Sequence, residues 1–179
     1  RSVKKSLNKR KPVYVLKKSK RKSKRRSRKF GSNKKSHKII HEKDTEEILR
    51  IENSLFKKDS WSRNMIFSEL KKGINKKTFL VERNQKLIAY LMIRFFGLEY
   101  QILNLAVSKI EQSKGVGFLL LLFFLKKIPI NSSVFLEVKE SNLPAISLYN
   151  KLGFIKQYVR NKYYSDGSNA LVLHHNKIN

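Results

Sequence analysis

The sequence predicts an α/β fold with a mixed central sheet, and three observations carry that prediction. Short apolar runs bounded by Gly, Asn, Asp and Ser alternate with helical patterns along residues 39–179, in the order βααβββαβαββ. One apolar strand, Tyr100-Gln-Ile-Leu-Asn-Leu-Ala-Val107, runs through the turn Gln112-Ser-Lys-Gly-Val-Gly117 into an apolar helix, Phe118-Leu-Leu-Leu-Leu-Phe-Phe-Leu125. That helix is apolar all round yet far shorter than the roughly 20 residues that cross a bilayer, so it is expected to lie buried against the sheet.

Each element has its own local signal. Lys38-Ile-Ile-His41 reads as a short first strand, and Asp44 as the N-cap of a helix to about Leu55 with Glu46 and Glu47 in its first turn. Ser60-Trp-Ser62 starts a second helix carrying Met65, Ile66, Phe67 and Leu70 and ending at Gly73. Thr78-Phe-Leu-Val81, the turn Asn84-Gln85 and residues 86–96 form a hairpin. After the glycine turn and its helix, Ser133-Val-Phe-Leu-Glu-Val138 is a strand. Asn142 caps a helix from Pro144 to Leu152, and Gly153 terminates it. Residues 154–164 and 169–175 close the chain as a hairpin around Ser165-Asp-Gly-Ser168.

Charge divides the 179 residues unevenly. The net charge is +28, and residues 1–38 hold 19 of the 41 Lys and Arg with none of the 13 Asp and Glu. Such a stretch has too little apolar surface to offset chain entropy, so residues 1–38 are expected to be a disordered arm and residues 39–179 the folded domain. Its natural partner is a polyanion, RNA or the ribosome, held by counterion release; a solubility tail or an organellar targeting segment gives the same composition. Its longest apolar cluster, Val13-Tyr-Val-Leu16, is too short for a secretory signal, and no membrane partner is expected. The chain has no cysteine, which excludes disulfides, thiolate nucleophiles and thiolate metal sites. His37, His41, His174 and His175 have no carboxylate cluster at ligand spacing and read as surface residues, so no metal is expected.

The turn between strand and helix leaves backbone N–H groups aimed at one point, with the positive end of the helix dipole behind them. It can therefore hold a pyrophosphate, and Gly115 and Gly117 would let the phosphates approach the backbone. A tight turn with no ligand would show the same glycines. Glu137 at a strand end, Asn142 at a helix start and Tyr149 two turns later supply a base, an anchor and an acid at one sheet edge. By residue type alone they are equally a solvated strand end, a cap and amphipathic filler.

Taken in order, Leu105-Ala-Val107, Gln112-Ser-Lys-Gly-Val-Gly117, Leu136-Glu-Val-Lys-Glu-Ser-Asn142, Ala145-Ile-Ser-Leu-Tyr149 and Gly153-Phe154 resemble the GCN5-related N-acetyltransferase superfamily. The ending Arg160-Asn-Lys-Tyr-Tyr-Ser-Asp-Gly-Ser-Asn-Ala-Leu-Val172 is similar to its protein N-terminal branch, the bacterial ribosomal-protein-alanine acetyltransferases above all. The resemblance covers residues 39–179 and implies acetyl-CoA as co-substrate. It implies that Leu105, Ala106 and Val107 pair with the pantetheine amides, and that Ser113, Lys114, Gly115, Val116, Gly117 and Phe118 wrap the pyrophosphate. Asn142 would bond the cofactor near its thioester, Glu137 would be the general base through water, and Tyr149 the acid for the departing thiolate. Trp61, Tyr163 and Tyr164 would line the groove for a protein N-terminus, a small-subunit ribosomal protein in the first instance, in the cytoplasm. Ser60 stands where the family usually has proline, and Ser113 and Phe118 depart from positions often basic or small, with Lys109 and Lys114 available to compensate. Two other functions fit the same residues: a ribosome- or RNA-binding protein on this scaffold, and a small-amine acetyltransferase, which the Tyr163-Tyr164 hairpin disfavours.

Overall fold

The computed structural model describes residues 15–18, 33–71 and 73–178. In chain order the elements are β1 (Val15–Lys18), α1 (Asn33–Leu55), α2 (Arg63–Leu70), β2 (Lys76–Arg83), β3 (Lys86–Phe96) and β4 (Glu99–Val107), then α3 (Val116–Lys127), β5 (Ser133–Lys139), α4 (Leu143–Lys151), β6 (Ile155–Arg160) and β7 (Ala170–Asn176). Single 3-10 turns stand at Lys57–Asp59 and Lys109–Glu111. The strands form one sheet in the order β1-β2-β3-β4-β5-β7-β6.

The expected order βααβββαβαββ is the order found, but its first strand is a different segment. Residues 38–41 are helical, inside α1, which begins eleven residues before Asp44. A pair of isoleucines among Lys, His and Glu is too short for a strand pattern. With no Gly or Pro between Asn33 and Leu55, the helix propagates through them. The sheet's first position is taken by Val15–Lys18, antiparallel to β2 with Leu16 opposite Val81. This strand comes from the one apolar cluster of the basic stretch. The disorder expected of residues 1–38 lies, for residues 1–14 and 19–32, outside the described residues. The final hairpin is also shorter than expected: β6 stops at Arg160, leaving Tyr163 and Tyr164 in the connection.

Two cores flank the sheet. In β3 every residue from Leu87 to Ile93 is buried, and its side chains divide between the two faces. On one face α1 and α2 bring Ile48, Ile51, Ile66 and Leu70 against Leu80, Leu87, Tyr90, Met92 and Ala106. On the other, α3 contributes Leu120, Leu121, Phe124 and Leu125 against Phe79, Leu91, Ile93, Ile102, Val134 and Leu136, joined by Tyr149 of α4. Each buried Leu or Phe of α3 is worth about 1.5–3 kcal/mol; the helix is buried on one side only, with Leu119 on its outer side half exposed. Asn84 and Gln85, at φ 51° and 60°, make the tight β2–β3 turn with the twist a two-residue hairpin needs.

The β4–β5 pair positions the site. It is parallel, and its register runs only from Glu99 opposite Ser133 to Ile102 opposite Leu136. At that point β4 carries a bulge: Met92 faces Asn104 while Ile93 faces Ile102, so Leu103 is the extra residue. A bulge bends its strand and sharpens its twist. Beyond it β4 and β5 diverge.

Candidate active site

The divergence leaves residues 103–107 of β4 with no strand partner on the β5 side, while β5 remains paired to β7 as far as Lys139. The gap is a slot with peptide groups that lack a β5 partner along one bank, suited to an extended ligand that offers amides of its own. Leu105, Ala106 and Val107 stand on that bank. The Gln112 side-chain amide closes its end by donating to the Val107 carbonyl at 3.0 Å.

The slot leads to the turn before α3. Ser113 (φ 60°) and Gly115 (φ 78°) are left-handed, and Gly115 is the N-cap of α3 without a side-chain cap bond. The N–H groups of the first turn of α3 therefore point into a concave loop, an anion-binding arrangement. The two glycines do different things. A Cβ at Gly115 would enter open space, so its requirement is conformational. A Cβ at Gly117 would lie 3.2 Å from Leu148 Cδ1 and 3.4 Å from Val107 Cγ2, so Gly117 permits close packing of α3. Val116 and Gly117 are buried and Phe118 is half-buried, so these three meet a ligand only through backbone. The side chains of Gln112, Ser113 and Lys114 are exposed, and Lys114 Nζ is 3.5 Å from Glu111 Oε2. Glu111 is itself buried and bonded at 2.8 Å to Arg83 Nη1, which anchors the loop to the end of β2.

Asn142 stands where α4 begins, across the slot. Its Oδ1 accepts from the Ala145 N–H at 3.2 Å, which commits the oxygen to capping and leaves the amide hydrogens exposed. Tyr149 is buried with its ring 5.7 Å from that of Phe154, and among the described residues its hydroxyl has no hydrogen-bond partner. Burial, then the nearby Tyr164, holds its phenol well above the usual range. The group remains protonated and available to donate.

Glu137 projects from β5 on the sheet face opposite α3, into a groove with Gln101, Phe135, Tyr158 and Arg160. Its Oε1 is 3.5 Å from Arg160 Nη2. The Arg160 guanidinium in turn lies 5.9 Å over the Tyr158 ring and 5.8 Å over Tyr163. Tyr164 is pushed up to about 12 by burial, then by Tyr163, Glu137 and Asp59. Tyr164 thus stands within electrostatic reach of both Glu137 and Tyr149, and its ring meets Tyr163 edge-on at 5.2 Å. Lys139 Nζ sits 5.2 Å over Tyr164 and bonds Asp166, and Ser165 Oγ donates to Asp59 Oδ1 at 2.6 Å. These contacts join the β6–β7 connection to the turn between α1 and α2. Trp61, in that turn, packs its ring on the α1–α2 core. Its N–H donates at 2.9 Å to Glu52 Oε2.

Tyr164 therefore links Glu137, on the sheet face opposite α3, with Tyr149, in the α3-side core, and Tyr163 packs against it. Leu105, Ala106 and Val107 lie on the unpaired stretch of β4, residues 113–118 form the turn into α3, and Asn142 caps α4 after β5. Sequence reasoning missed Arg160, Lys139, Asp59, Arg83 and Glu111, polar residues whose partners are distant in the chain. It also missed Glu52, whose signal was present: it falls on the apolar stripe of α1 with Ile48 and Ile51. His174 and His175 are not simple surface residues either. His174 stacks at 4.4 Å on Phe135 and His175 meets Phe154 tilted at 5.2 Å; among the described residues His174 Nε2 and His175 Nδ1 are buried and unbonded. Among the described residues no three His, Cys, Asp or Glu gather to hold a metal, and no helix is long and apolar enough to cross a membrane.

Residues 43–154 match the model of the acetyltransferase (GNAT) family. The chain is 32% identical over 110 residues to an N-alpha-acetyltransferase of Sulfurisphaera tokodaii, covering 53% of this chain and 66% of that protein. It is 29% identical over 117 residues to the [ribosomal protein bS18]-alanine N-acetyltransferase of Escherichia coli K12, covering 63% and 78%. The matched stretch spans only 45% of a second archaeal relative, the N-alpha-acetyltransferase of Saccharolobus solfataricus. In fold, the crystal structure of the ribosomal-protein-S18-alanine N-acetyltransferase from Escherichia coli superimposes with a TM-score of 0.72 at 22% identity, covering 93% of this chain and 96% of that one.

Proposed function

The chain belongs to the GNAT acetyltransferase family, and on that premise we propose that it acetylates the α-amine of a protein N-terminus, with acetyl-CoA as co-substrate. The single observation that carries this reading is the parting of β4 from β5 beside a left-handed loop at the start of α3. An unpaired strand edge suits a chain of amides, and the loop suits a pyrophosphate. Acetyl-CoA has both, and supplies the acetyl thioester.

The residues of this chain do the rest. Asn142 offers its amide hydrogens at the bank facing Leu105, Ala106 and Val107, and the unpaired β4 edge fixes the reacting carbonyl beside the amine, which is catalysis by positioning. An α-amine has a reference pKa of about 7.7–8.0, so Glu137 needs to accept only one proton, through water, to leave a neutral nucleophile. Arg160 holds the Glu137 carboxylate in place. Tyr149 keeps its proton until the sulfur leaves, then donates it. A thiol of pKa about 8.5 is a good enough leaving group that a phenol suffices. Tyr163, Tyr164 and Trp61 border the way in for the acceptor.

The acceptor we assign is a ribosomal protein, and the site of action the cytoplasm. Two observations support this: the name of the Escherichia coli relative, and the 19 basic residues of the first 38, which would hold the enzyme near ribosomal RNA. Intact-mass analysis of peptides with free and blocked N-termini, incubated with acetyl-CoA and the full chain, tests the reaction. Acetylation of a lysine side chain or a small polyamine in preference to the free N-terminus overturns it. Replacing the eight basic residues of 20–29 by glutamine tests the tether. RNA affinity should fall and lose its salt dependence, at unchanged turnover of a short peptide.

A further inference from the structure

We propose that Glu52, resting on the reading above, is a positioning residue for the transfer: one buried carboxylate sets both the opening of the cofactor slot and the lip over the acceptor. It sits in α1 with no exposed surface, on the stripe that also carries Ile48 and Ile51 of the α1–α2 core. Three donors from three other elements converge on it. The Tyr90 hydroxyl of β3 and Asn104 Nδ2 of β4, at 2.6 Å, share Oε1, while the Trp61 N–H reaches Oε2 at 2.9 Å. Its backbone carbonyl also receives Ser60 Oγ at 3.1 Å and Phe56 N–H at 2.8 Å.

The bond to Asn104 ties Glu52 to the slot. Ile102 points to the α3 side, and simple alternation along a strand would put residue 104 there too. The extra residue at Leu103 reverses the pattern, so that Ala106 lies in the α1–α2 core and the Asn104 amide meets α1. An amide turned toward an apolar core needs a partner, and among the described residues Glu52 is the one it has. The same bulge marks the last β4–β5 pair. Glu52 therefore pins the bend from which the slot opens. Its other oxygen holds the Trp61 backbone, hence the turn whose Asp59 reaches across to Ser165. Three converging donors require a group that only accepts, which a carboxylate is and a glutamine amide is not.

The test is Glu52→Gln alone and combined with Asn104→Asp in the full chain. The single change sets a donor against at least one donor. The double change restores the match, because the glutamine amide can donate to the new aspartate and still accept from Trp61. Trp61 is the sole tryptophan, so acrylamide quenching of its fluorescence reports the lip without any turnover. The single variant should raise acceptor KM and acetyl-CoA Kd about tenfold, the worth of one charged hydrogen bond. It should leave kcat at saturation within about threefold and make Trp61 more quenchable. The double variant should recover most of each. Wild-type KM, Kd and quenching in the single variant overturn the assignment, whatever its melting temperature. So does a double variant no better than the single one, or failure of both to fold. A wild-type chain that neither binds acetyl-CoA nor acetylates peptides overturns the functional reading instead, and the quenching series still judges Glu52.

Discussion

Replacing Tyr149 by phenylalanine removes one hydroxyl and, on this structure, nothing else. The ring keeps its packing against Phe154, and among the described residues no partner of the hydroxyl would be left unsatisfied. The stability cost should therefore stay under about 0.5 kcal/mol, against the roughly 1–3 kcal/mol typical when a buried partner is orphaned. A melting temperature close to that of the wild type follows. The catalytic cost is different in kind. Loss of a positioned proton donor typically lowers a rate by roughly 10²–10⁴-fold, and the lower figure corresponds to about 2.7 kcal/mol in the barrier. Burial holds the phenol protonated well above its usual range, so the wild-type rate should show no loss of this proton below a pH of about 10. Single-turnover acetylation of a free N-terminal peptide, with acetyl-CoA affinity measured by calorimetry, separates chemistry from binding. The expected result is a rate down about 100-fold at unchanged affinity. Turnover at the wild-type rate would refute the role, and a large drop in melting temperature would show that the hydroxyl has a structural partner.

Glu137→Gln should lower kcat by a similar factor without moving acetyl-CoA affinity, checked in the same assay. Gly115→Val places a β-branched residue at φ 78° and should weaken acetyl-CoA binding about tenfold or more by calorimetry. Gly117→Ala should act first on melting temperature, since its Cβ meets Leu148 at 3.2 Å. Arg83→Met leaves Glu111 buried with Lys114 at 3.5 Å as its remaining cation. We expect a loss of about 2 kcal/mol in urea denaturation, below the roughly 3–5 kcal/mol of a fully buried broken pair, together with weaker cofactor binding. His174 is held below its usual range, by burial first and then by His175. The folded state therefore binds this proton less readily than the unfolded chain, and stability should fall as pH drops through about 6.5. Denaturation midpoints of His174→Gln should lose that part of the pH dependence.

Much of this architecture was legible because its signals are local. The pairing of an apolar strand with a glycine turn and an all-apolar helix sufficed for β4 and α3, and Asn142 announced α4 through its capping chemistry. The resemblance singled out Glu137 and Tyr149 as candidates, but not their setting: that Arg160 touches one, or that Tyr164 stands near both, depends on a chain reversal no local pattern encodes. The start of α1 was misjudged because two adjacent isoleucines outweighed a long run free of helix breakers. β1 was passed over because its few apolar residues sit inside a stretch whose charge dominates any average. Glu52 was missed for a subtler reason. A carboxylate on an apolar stripe looks like an error of amphipathicity until the donors from β3, β4 and the Trp61 turn are in view.

A sheet that parts after four residue pairs is, in the absence of its substrate, an unfinished sheet. Whatever lies in the slot completes it much as an added strand would, and so contributes to holding the two halves together. For a ligand present at 100 times its Kd that contribution is about 2.7 kcal/mol, a substantial fraction of a small domain's total stability. The abundance of such a protein would then follow the supply of the molecule it consumes. In a cell short of acetyl-CoA the chain would spend more of its time locally open at β4, within reach of proteases, and would be cleared sooner. Its half-life would become a readout of acetyl-CoA supply.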